Sequence, residues 1–167
     1  MLLVYDVSSC IVCGGFVYMD SDTTDRKSWM GLLARAPDGR VAALLADSGL
    51  AEESVFLRQP EIGSVMVRGR AGGTGAAFNL GEMTVTRCTL RLNCGAVGHG
   101  HVQGRRKEDA EAAAMVDALL QTDRAAKTRD TVLTPLSSEE TARRTARAEK
   151  AAATKVEFFT MVRGEDK

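Results

Sequence analysis

Residues 82–92, EMTVTRCTLRL, restrict the fold more than any other stretch of the chain. They are dense in β-forming side chains and bounded by glycine, so they read as a strand. Side chains alternate along a strand, which puts Thr84, Thr86, Cys88, Leu90 and Leu92 on one face and Met83, Val85, Arg87, Thr89 and Arg91 on the other. The second face turns from apolar to cationic along its length. One half of it suits cover by protein, the other an acidic partner or an anion. Residues 64–70, SVMVRGR, form a second strong strand, and residues 96–103, AVGHGHVQ, a weaker third after the Asn93-Cys94-Gly95 turn. An antiparallel meander is the simplest connection of the three.

Helices flank this sheet. Trp29, Leu32, Leu33 and Ala36 recur at i, i+3, i+4 and i+7, giving one apolar helical face that Pro37-Asp38-Gly39 brings to a stop. Val41, Leu44, Leu45 and Ser48 continue as a second short helix, with Gly49 placed as its C-cap. The two make a helical hairpin suited to covering a sheet, with Trp29 as a core anchor. Ala112, Met115, Val116, Leu119 and Leu120 mark a further amphipathic helix, and Glu108, Asp109 and Glu111 in its first turn favour the helix dipole. After a polar linker, Ser137-Ser138-Glu139-Glu140 reads as a capping box just past Pro135. The helix expected to start there carries an alanine stripe (Ala142, Ala146, Ala152, Ala153) and the i,i+4 pairs Glu139 with Arg143 and Glu140 with Arg144. So thin a stripe buries little area per turn, so this helix needs a close partner such as another chain. Residues 156–162, VEFFTMV, read as a terminal strand.

The expected architecture is α+β: an antiparallel sheet of about three to five strands covered by an N-terminal helical hairpin and further amphipathic helices. A length of 167 residues favours one domain, and 44% hydrophobic with 26% charged residues is globular composition. Aromatics stand at 5%, so the core is built from aliphatic and small side chains. Residues 1–18 hold no Lys or Arg for a secretory signal, and Asp6, Ser8, Ser9 and Gly14-Gly15 interrupt a run already short for a span of about 20 residues. We expect translation to start at Met19, with residues 1–18 a non-native or disordered extension. Residues 19–167 are then a single α+β domain with a C-terminal helix–strand arm over residues 136–167. The four cysteines form no disulfide framework. Cys10 and Cys13 make a lone C-x-x-C without a second ligand pair. A reduced, cytoplasmic setting fits this usage.

Basic and acidic residues both total 22, which excludes the global charge field of a nucleic-acid binder. Locally the charge is uneven. Residues 61–107 hold Arg68, Arg70, Arg87, Arg91, Arg105, Arg106 and Lys107 against Glu61 and Glu82. Inside this region lies Gly69-Arg70-Ala71-Gly72-Gly73-Thr74-Gly75, a glycine-rich loop flanked by arginines. Backbone N–H groups of such a loop approach an anion closely, and guanidinium groups take phosphate or carboxylate bidentately. It is not a P-loop: no Lys-Ser/Thr follows, and a strand rather than a helix comes next. The other reading is a hairpin connection whose arginines pair across a subunit interface. His99 and His101 share a strand face, and with Cys94 or Cys88 they approach a metal set, but two ligands with no firm third do not make a site. No nucleophile–base pair and no paired catalytic carboxylates stand out.

Several long motifs, in order, resemble the G subunits of bacterial carbon–phosphorus lyase core complexes. They are RKSWMGLLARA (26–36), PEIGSVMVRGRAGGTG (60–75), FNLGEMTVTRCTLRL (78–92), the GRR of 104–106 followed by AEAAAMVDALLQ (110–121), and KVEFFTMVRGE (155–165). The resemblance implies a subunit of an alpha-D-ribose 1-methylphosphonate 5-triphosphate synthase. That enzyme transfers an alkylphosphonate to the ribose C1 of ATP, with release of adenine, during organic phosphonate catabolism. The resemblance also implies the H, I and J subunits as partners, self-association at the centre of the complex, and neither nucleic acid nor membrane. ATP and methylphosphonate are then substrates of the complex, with no cofactor bound by this subunit alone. Because the family assigns the glycosidic step chiefly to the I subunit and the radical chemistry to the J subunit, the implied role here is non-catalytic or accessory-catalytic.

Two departures limit what carries over. Gly104-Arg105-Arg106 stands where the family usually reads GRD, and His101 stands where an aromatic is common, which weakens the paired-histidine site. We assign no catalytic and no metal residue. The expected contacts with a partner subunit or a phosphorylated ligand are Arg68, Arg70, Gly72, Gly73, Thr86 and Arg87. The alternative is a stand-alone binding protein or enzyme for a phosphorylated nucleotide, built on the same arginine–glycine loop.

Overall fold

Pairing between two long strands sets the architecture. The computed structural model describes residues 21–155; the 1–18 extension, the Cys10 and Cys13 pair and the strand expected over 156–162 lie outside the described residues. In chain order the elements are α1 (Ser21–Ala34), α2 (Arg40–Ser48), β1 (Ser54–Arg70), β2 (Ala77–Leu92), β3 (Val97–Gln103), α3 (Lys107–Leu119), the short α4 (Ala125–Thr128), a wide helical turn (Arg129–Leu133) and α5 (Thr134–Ala153). The sheet is the expected antiparallel meander, in the order β1-β2-β3. The α+β class holds.

Both strong strands run further than their local patterns indicate. β1 starts at Ser54 and passes through Pro60, and β2 starts at Ala77. Proline has no N–H for a ladder, but Pro60 sits on an edge strand where the register slips between Arg58 and Glu61, a place a sheet tolerates it. β3 pairs with β2 only as far as Val85 opposite Gln103. Beyond that point β1 and β2 continue as a two-stranded ribbon.

Thr86, Cys88, Leu90 and Leu92, which alternation puts on one face, turn inward and are buried. α3 lies against β2 and β3, and α2 packs on α3 while α1 reaches both α3 and β3. α3 is therefore sandwiched and buried almost all round, from Asp109 to Leu119 with only Glu111 exposed, where the sequence shows a single apolar stripe. Small residues make this possible. A Cβ at Gly98 would overlap the carbonyl oxygen of Ala114, and one at Gly100 that of Ala110, so the helix backbone rests directly on the strand. Gly49 ends α2 at φ 63°, its N–H donating to the Ala46 carbonyl, as expected of a C-cap.

The capping box expected at 137–140 does not form. Pro135 lies in the first turn of α5 and has no N–H to offer, and the wide turn before it lets the Thr134 N–H reach the carbonyl of Arg129, five residues back. The stretch expected as a polar linker becomes helical instead and buries Val132, Leu133 and Leu136. Glu139 turns to the hairpin, accepting from Arg40 Nε at 2.9 Å and Nη2 at 2.6 Å. That hydrogen bond holds the Glu139 carboxyl below its ordinary range and raises the Arg40 guanidinium. Glu140 does meet Arg144, at 2.8 Å, and it also takes Arg35 of α1 at 3.3 Å.

Candidate functional site

The ribbon ends in a tight turn, Ala71–Gly73, with Gly72 at φ 58° and Gly73 at φ 82°, conformations glycine adopts without a Cβ penalty. The Gly75 N–H closes the turn on the Ala71 carbonyl at 2.8 Å. Arg70 is turned onto this loop, Nη1 donating to the Gly75 carbonyl at 3.2 Å, whereas Arg68 projects without a partner among the described residues. Ile62 just inside the base of the ribbon and Met66, Phe78 and Leu80 along it are 45–67% exposed. Leu80 is the extra residue where the register slips between Val67 and Arg68, and the Phe78 ring lies over Gly69. The register puts Ile62 and Met66 on one face and Phe78 and Leu80, both against Gly69, on the other, so apolar side chains are exposed on both faces. A two-stranded ribbon is marginal in water on its own, so these faces suit cover by a partner.

The six residues expected as contacts fall in two places. Arg68, Arg70, Gly72 and Gly73 gather at the tip, while Thr86 and Arg87 lie at the base. Arg87 stands opposite Glu61, seven residues back along β1 from Arg68, which is about 23 Å at 3.3 Å per residue. Thr86 is fully buried, and its hydroxyl donates to the Gly104 carbonyl at 2.7 Å, so it ties β2 to the end of β3 and presents nothing to a partner or ligand. Arg87 is half-exposed and donates from Nη2 to Glu61 Oε1 at 3.3 Å, with Arg58 Nε 3.5 Å from the same oxygen. Its own Nε is buried without a partner. The cationic half of β2 is therefore partly neutralised within the chain.

His99 and His101 share the sheet face that carries Arg87 and Thr89, and His99 Nδ1 lies 3.2 Å from Thr89 Oγ1. Cys88 points the other way, into the core, where its thiol reaches the Arg58 carbonyl at 3.6 Å. Burial, helped by the nearby Glu111 charge, pushes that thiol up to about 11. No group of three or more His, Cys, Asp or Glu suited to a metal ion occurs among the described residues.

A family model described as "Phosphonate metabolism protein PhnG" matches residues 24–164. The chain belongs to the PhnG family. A curated relative from Rhizobium meliloti (strain 1021), "Alpha-D-ribose 1-methylphosphonate 5-triphosphate synthase subunit PhnG", is 43% identical over 147 residues, covering 88% of this chain and 94% of the relative. The motif resemblance in the sequence is thus a family membership across most of the chain. Among the described residues no helix is long and apolar enough to cross a membrane.

Two buried aspartates organise this PhnG-family fold; the sequence pattern reads Asp109 only as a first-turn acid favouring the helix dipole and does not single out Asp117. Asp117 is fully buried on α3 and accepts from Arg26 Nη2 at 2.6 Å, Trp29 Nε1 at 2.9 Å and the His99 N–H at 2.9 Å. Asp109 accepts from the N–H groups of Gly39 at 2.8 Å and Ala42 at 3.3 Å, closing the start of α2. Arg106, the residue that departs from the family's usual GRD, donates to Asp109 at 3.1 Å and to the carbonyls of Ala36 and Gln103 at 2.9 Å. It clamps the α1–α2 loop, the end of β3 and the start of α3 together. The one signal in the sequence is an aspartate inside an otherwise apolar run, AAAMVDALL; its partners are up to 91 residues away.

Proposed function

We propose that this chain is a non-catalytic or accessory-catalytic subunit of an alpha-D-ribose 1-methylphosphonate 5-triphosphate synthase, within a carbon–phosphorus lyase core complex. Its place is in the step that joins an alkylphosphonate to the ribose C1 of ATP as adenine leaves. The H, I and J subunits are its partners, a second copy of the chain lies at the centre of the assembly, and the setting is the cytoplasm. ATP and methylphosphonate are substrates of the whole complex. The name of the R. meliloti relative supports this reading.

The structural observation that carries it is the ribbon. β1 and β2 extend past β3 and hold Met66, Phe78 and Leu80 in solvent, with Ile62 exposed just inside the base of the ribbon, which is costly for a free chain and useful to a subunit. The tip residues Arg68, Arg70, Gly72 and Gly73 then contact a partner subunit, with Arg87 at the margin. The outer half of α5, exposed from Arg144 to its end, offers a second surface.

Light scattering on a sizing column tests the proposal, with the chain alone and co-expressed with the H, I and J subunits. A stable hetero-oligomer is expected. A well-behaved isolated species that ignores those partners would overturn it. The stand-alone nucleotide-binding alternative predicts saturable ATP binding lost in Arg68→Ala and Arg70→Ala, yet Arg70 already spends a guanidinium N–H on the Gly75 carbonyl.

A further inference from the structure

α3 covers the face of the sheet that carries Thr86, Cys88 and Leu90, and the opposite face stays open. Arg87, Thr89 and Arg91 of β2 share that open face with His99 and His101 of β3, in register across the two strands. Arg91 and His99 are exposed, and the other three are half-exposed. On β1, Arg58 and Glu61 stand opposite Thr89 and Arg87. Three guanidinium groups therefore meet one carboxylate here. Glu61 Oε1 lies 3.3 Å from Arg87 Nη2 and 3.5 Å from Arg58 Nε, while the Arg91 guanidinium has no polar partner among the described residues. Toward the ribbon the same face turns apolar. Val65, Val67 and Met83 lie on it half-exposed, and Phe78 and Leu80 end it beside Gly69. Gly63, Gly69 and Gly81 add no side chain to it, so nothing polar interrupts this end.

A sheet with one bare face is completed by a second layer that buries its apolar side chains. Whatever lies over this face must also answer the positive charge at its base, and that selects the occupant. Over a second copy of the chain, the cationic base would meet either its own like or the apolar ribbon, and neither supplies a carboxylate. A nucleic acid would answer the charge but not the aliphatic side chains at the other end. Carboxylates meet guanidinium forks in pairs, and Arg91 is a fork with nothing yet in it. We propose that this open face docks an amphipathic segment of a partner subunit, with carboxylates over Arg87 and Arg91 and apolar side chains over Val65, Val67 and Met83. The proposal rests on the subunit reading and deepens it, because it names the chemistry of the partner surface and brings the charged contacts from the ribbon tip to the sheet.

Photocrosslinking from the open face tests the proposal, in the complex formed by the full chain co-expressed with the H, I and J subunits. His99→p-benzoylphenylalanine puts the probe on an exposed position of that face. The expected product joins it to one partner subunit, within a peptide where Asp and Glu outnumber Lys and Arg and alternate with apolar residues. Arg91→Glu sets like charges against that peptide and should weaken assembly by at least about tenfold at low salt, and by less as salt is added. Arg91→Lys keeps the charge and should retain most of the affinity. Arg91 is exposed and unpaired, so both variants should fold as the parent does, which circular dichroism checks. An intact complex with no product from this face overturns the proposal. So does a product with a second copy of the chain, with nucleic acid or with a peptide lacking the acidic excess, and so does Arg91→Glu assembling like the parent. A parent chain that joins no complex overturns the subunit reading and this proposal together, whereas a complex that forms with the face unlinked overturns this one alone.

Discussion

Asp117 lies beneath Trp29, its Oδ1 accepting the indole N–H at 2.9 Å although 88 residues separate the two in the chain. The same carboxylate takes Arg26 and the His99 N–H, so one buried acid on α3 ties α1 to β3. Removing it strands an indole and a backbone donor and releases a guanidinium. Asp117→Ala is expected to cost about 3 kcal/mol of stability, read by urea unfolding. A loss below half a kcal/mol would show that the three donors find other partners.

The contact between α3 and β3 leaves no space at Gly98 or Gly100. Because a methyl group at either would meet helix backbone and not a side-chain tip, the helix must lift off the strand. Gly100→Ala should destabilise by at least about 1–3 kcal/mol, the usual range for overpacking, and Gly98→Ala should behave alike. Thermal unfolding of the two variants checks this. Ala at Gly81, where a Cβ meets nothing within 4 Å, is the control, expected to change stability by under about 0.5 kcal/mol.

On the ribbon, Phe78 and Leu80 contribute little to the folded chain because they lie in solvent. Phe78→Asp combined with Leu80→Asp should therefore alter stability by less than about 0.5 kcal/mol while abolishing co-purification with partner subunits. Retained assembly would move the docking surface elsewhere, with the outer half of α5 next in line.

Cys88 and Cys94 differ in reactivity for a physical reason. Cys94 is exposed in the β2–β3 turn, whereas Cys88 is buried and its thiol is raised to about 11. At pH 8 a thiol reagent should label Cys94 and spare Cys88, as read by peptide mass spectrometry. The sign of the linkage follows. The folded chain keeps the Cys88 proton to higher pH than the unfolded chain does, so the unfolded state binds fewer protons above about pH 9. Stability should fall between about pH 9 and about pH 11 and hold below that window. The fall should shrink in Cys88→Ala measured beside it.

Much of the fold was legible in local pattern. Alternation over residues 82–92 put Thr86, Cys88, Leu90 and Leu92 on one face, the one that is buried, and the i, i+3, i+4 stripes placed α1, α2 and α3. These are properties of a few consecutive residues, where side-chain direction follows from backbone geometry alone. The family motifs were legible for the same reason: they are contiguous text.

What depended on distant neighbours was not legible. The N-terminal half of β1 has no strand pattern across Pro60 and exists because β2 supplies its ladder. The capping box at 137–140 is locally sound, but burying Val132, Leu133 and Leu136 outweighs it and draws the preceding residues into helix. Alternation puts Thr86 on the face of Cys88, Leu90 and Leu92 without saying which face is covered; the packing of β2 against α3 decides that this face is the buried one and that Thr86 serves Gly104 and not a partner.

By itself, then, the sequence determined which residues are strand and helix cores, the antiparallel order of the sheet and the family. Periodicity and contiguous motifs are enough for those. Tertiary structure alone decided that Asp109 and Asp117 are buried hubs, that the ribbon stands free of β3, and that Arg35 meets Glu140 across 105 residues of chain. Charges so far apart in the chain meet only when helix packing brings their faces together.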